Sequence, residues 1–191
     1  LSADHADRVI AVECDVTDET SMAALVASRP GPTLDVVVAN AGRGSFGMIV
    51  DQSVEEWRSV LDLCLTGVFL TMKHAGPVIA PGGSIITIAS LNAIQPSAGM
   101  AVYCAAKAGA SMLSQVAAME FGPRGIRVNT VAPGLVETAA TAPFFLVPGV
   151  VEEFVENTTL GRFAQPTDVA NLVSFLASDE AGFVSGGFFS V

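Results

Sequence analysis

The chain has 191 residues, a length that predicts one domain. Apolar residues make up 51% of it and charged residues 15%, which is typical of a folded globular protein and excludes a disordered or fibrous one. Nine basic residues against nineteen acidic residues give a net charge of -10, so the surface repels phosphate backbones and a nucleic-acid partner is not expected.

Neither a membrane span nor a metal site is expected from the sequence. Residues 1–8 lack the basic and apolar pattern of a signal peptide, and no apolar run approaches the ~20 residues that a membrane-spanning helix needs. His5 and His74 have no partners at ligand spacing. The cysteines are odd in number and scattered, at Cys14, Cys64 and Cys104. They form neither a zinc pattern nor a disulfide framework, which favours the reducing cytoplasm.

Strand-like and helix-like segments alternate along the chain. Apolar, β-branched runs predict strands at Arg8–Val16, Leu34–Ala39, Ser84–Ala89, Ile126–Ala132 and Phe183–Val191. Helical patterns are predicted at 18–26, 53–72, Met100–Phe121, Val150–Asn157 and Pro166–Ala177. This alternation predicts an α/β fold with a doubly wound parallel sheet.

Two local patterns carry more detailed expectations. The continuous apolar run Leu34–Ala39 predicts a strand covered on both faces. Ser53 with Glu56 three residues later predicts a capping box at the start of a long helix. That helix is apolar on more than one side, which favours a second packing partner such as another subunit.

The most informative spacing is that of Tyr103 and Lys107. Residues four apart share one face of a helix. A lysine ammonium beside a phenol favours phenolate and lowers a pKa that is ordinarily near 10. Ser90, thirteen residues before the tyrosine, supplies a hydroxyl that could hold a substrate oxygen. A Tyr–Lys pair at this spacing also occurs by chance on many helices, so its neighbours along the chain matter.

Polar or turn-forming residues end four of the predicted strands: Asp15, Asn40, Ser90 and Pro133. Ligands bind open α/β sheets at the carboxyl ends of the strands. These residues are therefore expected to line one crevice. Each also has a purely structural alternative, since Asp15 could cap the following helix and Asn40 could serve a turn.

The chain resembles the short-chain dehydrogenase/reductase family along essentially its whole length. The matching motifs, in order, are CDVTD at Cys14–Asp18, NAG at Asn40–Gly42, Ser90, YxxxK at Tyr103–Lys107, RVNTVAPG at Arg127–Gly134 and VETA at Val136–Ala139. The resemblance implies a Rossmann-like sheet, NAD or NADP as cofactor, and hydride transfer to or from a secondary alcohol or ketone. It does not separate carrier-protein ketoacyl reductases from small alcohol or sugar dehydrogenases.

The resemblance also implies roles for individual residues. Tyr103 would donate or accept the proton, Lys107 would bond the nicotinamide ribose, and Ser90 would orient the substrate oxygen. The implied cofactor contacts are Asp15 and Val16 at the adenine, Asn40, Ala41 and Gly42 under the adenine ribose, and Pro133, Gly134, Val136 and Thr138 around the nicotinamide. A homodimer or homotetramer is implied as well.

The sequence departs from the family pattern in two places. Cys64 stands seven residues after Trp57, where the family has an asparagine that helps a proton relay. The Gly-rich phosphate loop and the first two strands of the family fold are absent from the 191 residues. We therefore expect a piece of a longer protein, trimmed at both ends, in which Arg8–Val16 either pairs with Leu34–Ala39 or stays loose.

Two interpretations remain open at this point. The three catalytic-type residues favour an enzyme, whereas Cys64 and the absent loop favour a catalytically silent scaffold or binding subunit. The apolar patch Phe144–Leu146 is interpreted either as a substrate lid or as a contact with a neighbouring subunit. The preference between NAD and NADP is not decided by these residues.

Overall fold

The computed structural model describes residues 8–142, 146 and 149–191. Its sheet has four parallel strands. They stand side by side in chain order as β1 (Leu34–Ala39), β2 (Ile79–Ile88), β3 (Arg127–Ala132) and β4 (Phe188–Ser190). The predicted parallel α/β sheet is therefore confirmed, because every pairing joins strands that run in the same direction.

Helices connect the strands and cover the sheet. They are α1 (Glu19–Ala27), α2 (Val54–Leu61), α3 (Gly67–Ala75), α4 (Ala101–Phe121), α5 (Val150–Asn157) and α6 (Pro166–Ala177). On one face, Ile85 and Val128 pack against Ala110 of α4. On the other face, Ile86 packs near Leu176 of α6. These side chains are almost completely buried, so the central strands carry the core.

The first helix begins as the sequence predicts, and the second differs in one respect. Asp18 caps α1 by accepting a hydrogen bond from the Ser21 backbone at 2.6 Å. Ser53 caps α2 by accepting one from the Glu56 backbone at 3.1 Å. The expected capping box is only half formed, because the Glu56 carboxylate binds Arg43 instead.

The segment Arg8–Val16 is not a strand, which corrects the prediction made from its apolar pattern. Among the described residues, no strand pairs with the outer side of β1, so β1 forms the edge of the sheet. The expectation that β1 is covered on both faces is also wrong, since Val36 is 39% exposed and Val38 is 43% exposed. A β-branched run extends into a sheet only where a neighbouring strand supplies its hydrogen bonds.

Two strand boundaries differ from those predicted. Strand β2 begins at Ile79 rather than Ser84, because the chain passes Gly82 at a positive φ of 85° and bulges without leaving the sheet. Strand β4 is shorter than the predicted Phe183–Val191, since Gly186 also takes a positive φ of 75° before the strand begins. Glycine permits this conformation at little cost, and here it delays or bends a strand.

A π-helical turn, Asp62–Thr66, joins α2 to α3 within one long helix. Such turns leave the regular hydrogen-bond pattern of the helix and are frequent at functional sites. Cys64 lies in the middle of this turn and is completely buried. The sequence carried no signal for the turn, which is decided by what packs against it.

The described residues contain no helix long and apolar enough to cross a membrane.

Candidate active site

The carboxyl ends of three of the four predicted strands meet at one edge of the sheet, whereas Asp15 follows no strand, which corrects the prediction for that residue. Asn40 follows β1, Ser90 follows β2 by two residues, and Pro133 follows β3 directly. Backbone hydrogen bonds hold the last two segments together, since the Ala89 amide donates to Val131 at 2.8 Å and the Leu91 amide donates to Pro133 at 2.9 Å. This edge is where ligands bind in sheets of this type.

Tyr103 and Lys107 lie in the first two turns of α4 and face this edge. The Lys107 Nζ is 5.7 Å from the centre of the Tyr103 ring, so both side chains are on the same side of the helix. The Ser90 side chain interacts with the Tyr103 hydroxyl and lowers the pKa of the phenol. The structure therefore brings together the three residues that the sequence singled out, although Ser90 comes from a different element.

Lys107 is only 4% exposed, an unusual position for an ammonium group. It donates a hydrogen bond to the Ile88 carbonyl at 2.8 Å, at the end of β2. Burial lowers the pKa of Lys107, opposed by the nearby Cys64 thiol. An ammonium carries three donors, and a single carbonyl satisfies one of them. The group is therefore suited to hold a further hydroxyl.

The pKa of Tyr103 is raised above its ordinary value, which corrects the direction expected from the lysine spacing. Burial is the largest cause, and the hydrogen bond with Ser90 opposes it. Desolvation penalises the phenolate more than Ser90 favours it.

The backbone at Gly42 lies close to the side chains of Cys64 and Lys107, beside the active site. A side-chain carbon added at Gly42 would lie 3.3 Å from the Lys107 Nζ and 3.4 Å from the Cys64 Sγ. The Cys64 thiol donates a weak hydrogen bond to the Arg43 carbonyl at 3.5 Å. Glycine at position 42 is thus favoured by the close approach of these two side chains rather than by a turn, since its φ is not positive. The thiol also anchors the loop after β1 to the π-helical turn.

A groove of about 430 Å³ lies along the free edge of β1. Its apolar lining includes Val16, and Asn40 with Ala41 lies at the end nearest the active site. The groove therefore joins the residues expected at the adenine and its ribose. The bare Cα of Gly42 beside a buried ammonium leaves space of the kind a ribose hydroxyl fills, so the residues present fit a nicotinamide dinucleotide.

The remaining cofactor-type residues lie at a turn before α1 and on the loop after β3. The Asp15 carboxylate accepts hydrogen bonds from the Thr17 backbone at 2.8 Å and the Thr17 hydroxyl at 2.7 Å, which lower its pKa. It does not cap α1, because Asp18 does, so the alternative role as a helix cap is wrong, and the carboxylate holds a turn before that helix instead. Val136 and Thr138 lie on the loop after β3, where the Thr138 hydroxyl is 3.0 Å from that of Thr141.

Sequence reasoning missed the side chains that hold the loops around this site. Arg43 forms a two-pronged ion pair with Glu56, each nitrogen 2.7 Å from a carboxylate oxygen. The Gln165 amide donates to Glu137 at 2.7 Å beside a backbone bridge between Val136 and Ala164. These partners are far apart in the chain. The only signal in the sequence is that complementary polar residues lie on segments predicted to reach the same edge of the sheet.

The patch interpreted as a lid lies mostly outside the described residues. Phe144 and Phe145 are not described, whereas Leu146 is described and is 83% exposed. Among the residues described, no group of three or more His, Cys, Asp or Glu side chains could hold a metal ion.

Comparisons with known proteins identify the family to which this chain is related. The sequence profile of the family described as enoyl-(acyl carrier protein) reductase matches residues 1–191. A trans-4-hydroxycyclohexanecarboxylate dehydrogenase of Sinomonas cyclohexanicum is 43% identical over 94% of this chain and 68% of its own length. A 3-alpha-(or 20-beta)-hydroxysteroid dehydrogenase of Mycobacterium bovis is 39% identical over 100% of this chain and 72% of its own length.

Solved structures show the same fold. A short-chain type dehydrogenase/reductase from Mycobacterium ulcerans superposes with a TM-score of 0.90 at 32% identity, covering 93% of this chain and 66% of that chain. Named dehydrogenases at this level of identity over most of the chain favour an enzyme over a silent scaffold. The chain therefore belongs to the short-chain dehydrogenase/reductase family, and it is an oxidoreductase that transfers a hydride between NAD or NADP and a secondary alcohol or ketone.

Proposed function

We propose that Tyr103 is the proton donor and acceptor of this reaction, with Ser90 and Lys107 as its partners. The observation that carries the proposal is the cluster itself: a partly buried phenol interacts with Ser90, which lowers its pKa, and a buried ammonium lies 5.7 Å from its ring. In alcohol oxidation the Tyr103 oxygen takes the hydroxyl proton, and Ser90 holds the substrate oxygen. In ketone reduction Tyr103 returns that proton.

The cofactor supplies the hydride acceptor or donor when it is bound. The chain's own contribution is to orient it: Lys107 bonds a ribose hydroxyl, and Gly42 leaves room for that contact. Asn40 and Ala41 would hold the adenine ribose, and Val16 and Asp15 would contact the adenine. Pro133, Gly134, Val136 and Thr138 flank the nicotinamide.

The substrate is proposed to be a cyclic secondary alcohol or the matching ketone. The supporting observation is that two relatives are named for ring alcohols, a hydroxycyclohexanecarboxylate and hydroxysteroids. The test is formation of reduced nicotinamide, followed by its absorbance, with a panel of ring alcohols and each cofactor. No turnover of any ring alcohol with either cofactor would contradict the proposal.

Replacing Ser90 by alanine is expected to move the pH profile of alcohol oxidation to higher pH and to lower kcat. The hydrogen bond from Ser90 lowers the pKa of Tyr103, so its loss leaves less phenolate at any given pH. Tyr103 is the only tyrosine in the sequence, so its phenolate absorbance reports this pKa directly. If the phenolate titration of Tyr103 were unchanged in the variant, Ser90 would not be what lowers the pKa of Tyr103, even if kcat fell.

Replacing Cys64 by asparagine is expected to preserve or raise kcat. A thiol is a poor donor and acceptor, whereas an amide can take part in a proton relay that continues from Lys107. General acid–base assistance is worth roughly 10²–10⁴-fold, which bounds the gain. Steady-state kinetics measures it, with Cys64→Ser as the control for size. A clear fall in kcat with an intact fold would mean that the thiol is required.

We infer that the enzyme forms a homodimer or homotetramer through α3 and α4. The support is a set of exposed apolar side chains on these helices and on α2: Trp57, Phe69, Met112, Val116 and Met119. Solvated apolar patches of this kind favour association. Sedimentation equilibrium at micromolar protein is expected to give a mass of two or four chains, and a single-chain mass would contradict the inference.

We also propose that the enzyme works in the cytoplasm. The support is that Cys14, Cys64 and Cys104 are all free thiols, a state that a reducing compartment maintains. Fractionation of cells that express the protein tests this, and recovery outside the cytoplasmic fraction would contradict it.

A further inference from the structure

We propose that Glu56 is a positioning residue for the reaction, which acts through its neighbours rather than on the substrate. It fixes the connecting segment, residues 43–47, which runs from the cofactor-type residues after β1 to the helix that carries Tyr103. The inference rests on the proposed function, because it concerns the geometry of that same site. The supporting observations are the contacts of Glu56 and those at the two ends of the segment.

Glu56 binds the connecting segment at two residues. Both oxygens of its carboxylate accept hydrogen bonds from Arg43, each at 2.7 Å. The side chain of Ser45, a residue only 5% exposed, also interacts with the carboxylate, and it accepts a hydrogen bond from the Gln52 amide at 3.2 Å. Arg43 first and Ser45 next lower the pKa of Glu56 to about 2, so the carboxylate is charged in the working pH range.

The first end of the connecting segment lies close to Lys107. A side-chain carbon added at Gly42, the preceding residue, would be 3.3 Å from the Lys107 Nζ. The Cys64 thiol donates a weak hydrogen bond to the Arg43 carbonyl at 3.5 Å, so both the backbone and the side chain of this arginine are held. The position of Arg43 therefore affects how closely the backbone before it approaches the ammonium.

The other end of the connecting segment is joined to the start of α4. The Gly47 amide donates a hydrogen bond to the Gly99 carbonyl at 2.9 Å, and Gly47 forms a parallel bridge with Met100. Met100 immediately precedes α4, and Tyr103 follows three residues later. The segment thus links the surroundings of Lys107 to the first turn of the helix that carries the phenol.

The side chain of Glu56 holds the connecting segment and does not cap its own helix. Ser53 caps α2, whereas the Glu56 carboxylate binds Arg43. Arg43 also reaches along this helix, since one of its terminal nitrogens donates to the Ser59 hydroxyl at 3.1 Å. The Arg43 and Glu56 side chains are 40% and 37% exposed, and pairs this exposed contribute little to global stability. Loss of the carboxylate should therefore loosen the segment without unfolding the protein.

Loosening of the connecting segment is expected to weaken cofactor binding more than it slows the chemical step. A segment that samples several positions in the free enzyme must adopt one of them when the cofactor binds, and this ordering weakens binding. Once the cofactor is bound, Tyr103 and Lys107 keep their arrangement because both lie on α4. The expected signature is a higher KM for the cofactor with a nearly unchanged kcat.

The test replaces Glu56 by glutamine, with Glu55→Gln as the matched control. Both changes remove one carboxylate from the first turn of α2, but Glu55 is exposed and makes none of the contacts described above. With a ring alcohol that the enzyme oxidises, Glu56→Gln is expected to raise KM for the cofactor about fivefold, near the upper range for an exposed ion pair. The kcat of this variant, and both kinetic parameters of the control, should change less than about twofold.

Amide hydrogen exchange gives a readout that does not depend on turnover or on the cofactor. The Gly47 amide, which donates to Gly99, should exchange at least about fivefold faster in Glu56→Gln than in the control. Urea unfolding should give the same midpoint for the two variants. A lower midpoint for Glu56→Gln, with kcat and KM both impaired, would show a purely structural role and overturn the inference.

Exchange of the two charges provides a rescue. Glu56→Arg alone places two positive charges side by side, and Arg43→Glu alone places two negative charges there. The double variant restores an opposite pair, so its KM for the cofactor is expected to be at least about threefold below that of either single variant. A double variant no better than the single variants would count against the inference.

Failure of this inference is distinct from failure of the proposed function. If the wild-type enzyme oxidises a ring alcohol and Glu56→Gln has the KM of the control, the positioning role is wrong and the dehydrogenase function stands. If the wild-type enzyme turns over no ring alcohol with either cofactor, the proposed function is contradicted instead. Exchange of the Gly47 amide then still decides whether Glu56 fixes the connecting segment.

Discussion

Replacement of Tyr103 by phenylalanine is expected to lower kcat about 10³-fold for both oxidation and reduction. The substitution removes the hydroxyl that exchanges the proton, and general acid–base assistance is typically worth 10²–10⁴-fold. The ring stays in place beside Lys107, so KM for the cofactor should change little. Steady-state kinetics at saturating cofactor measures the effect.

The fold of this variant is expected to be intact. The Ser90 hydroxyl retains its contact with the Asn92 backbone at 3.2 Å, so loss of the phenol oxygen leaves it with a partner. The change in unfolding free energy should then be about 1 kcal/mol or less. A variant that remains fully active would remove Tyr103 from the mechanism. A variant that unfolds at a much lower temperature would show that the loss of kcat comes from loss of the fold and not from loss of the hydroxyl.

Replacement of Arg127 by methionine is expected to destabilise the fold by about 3 kcal/mol. Arg127 is buried at the start of β3, and it donates to the Leu176 carbonyl at 2.6 Å and to the Ser178 carbonyl at 3.1 Å. These carbonyls are at the C-terminal end of α6, where a cation satisfies groups that the helix leaves unpaired. Urea unfolding measures the loss as a lower midpoint with an unchanged slope.

Arg58→Met is the matched control for this prediction. Arg58 is exposed on α2, so the same change of side chain should cost no more than about 0.5 kcal/mol. Ser84 also donates to Leu176, at 2.9 Å, and remains in the Arg127 variant. If Arg127→Met proved as mild as the control, the arginine would not be what anchors α6 to the sheet.

Local patterns in the sequence were enough to locate most elements of the fold. β1, α5 and α6 have the boundaries predicted from them. In each case the signal is short-range: an apolar run that cannot remain solvated, or an initiating residue such as Pro166 at the first turn of a helix. The candidate site residues were also located by spacing, since Tyr103 and Lys107 share a helix face whatever surrounds them.

Elements that depend on a distant partner were predicted less well. Arg8–Val16 has the composition of a strand, but no described strand lies beside it, so it does not extend into the sheet. Glu56 has the position of a capping residue, but Arg43 binds it more strongly than a backbone amide would. The composition of a segment indicates which secondary structure or hydrogen bond it favours. Whether that structure or bond forms depends on the segment that packs against it in the fold.

The amino-acid sequence alone determined the parallel α/β architecture, the family, and the identity of three residues that meet at the strand ends, Asn40, Ser90 and Pro133. Tertiary structure decided the ionisation of Tyr103, because its pKa depends on how deeply the phenol is buried and not on its distance from Lys107 along the chain. It also decided the π-helical turn at Cys64 and the pairing of Arg43 with Glu56. Burial and long-range ion pairs depend on segments that meet only after the chain has folded. The local periodicity of the sequence therefore does not predict them.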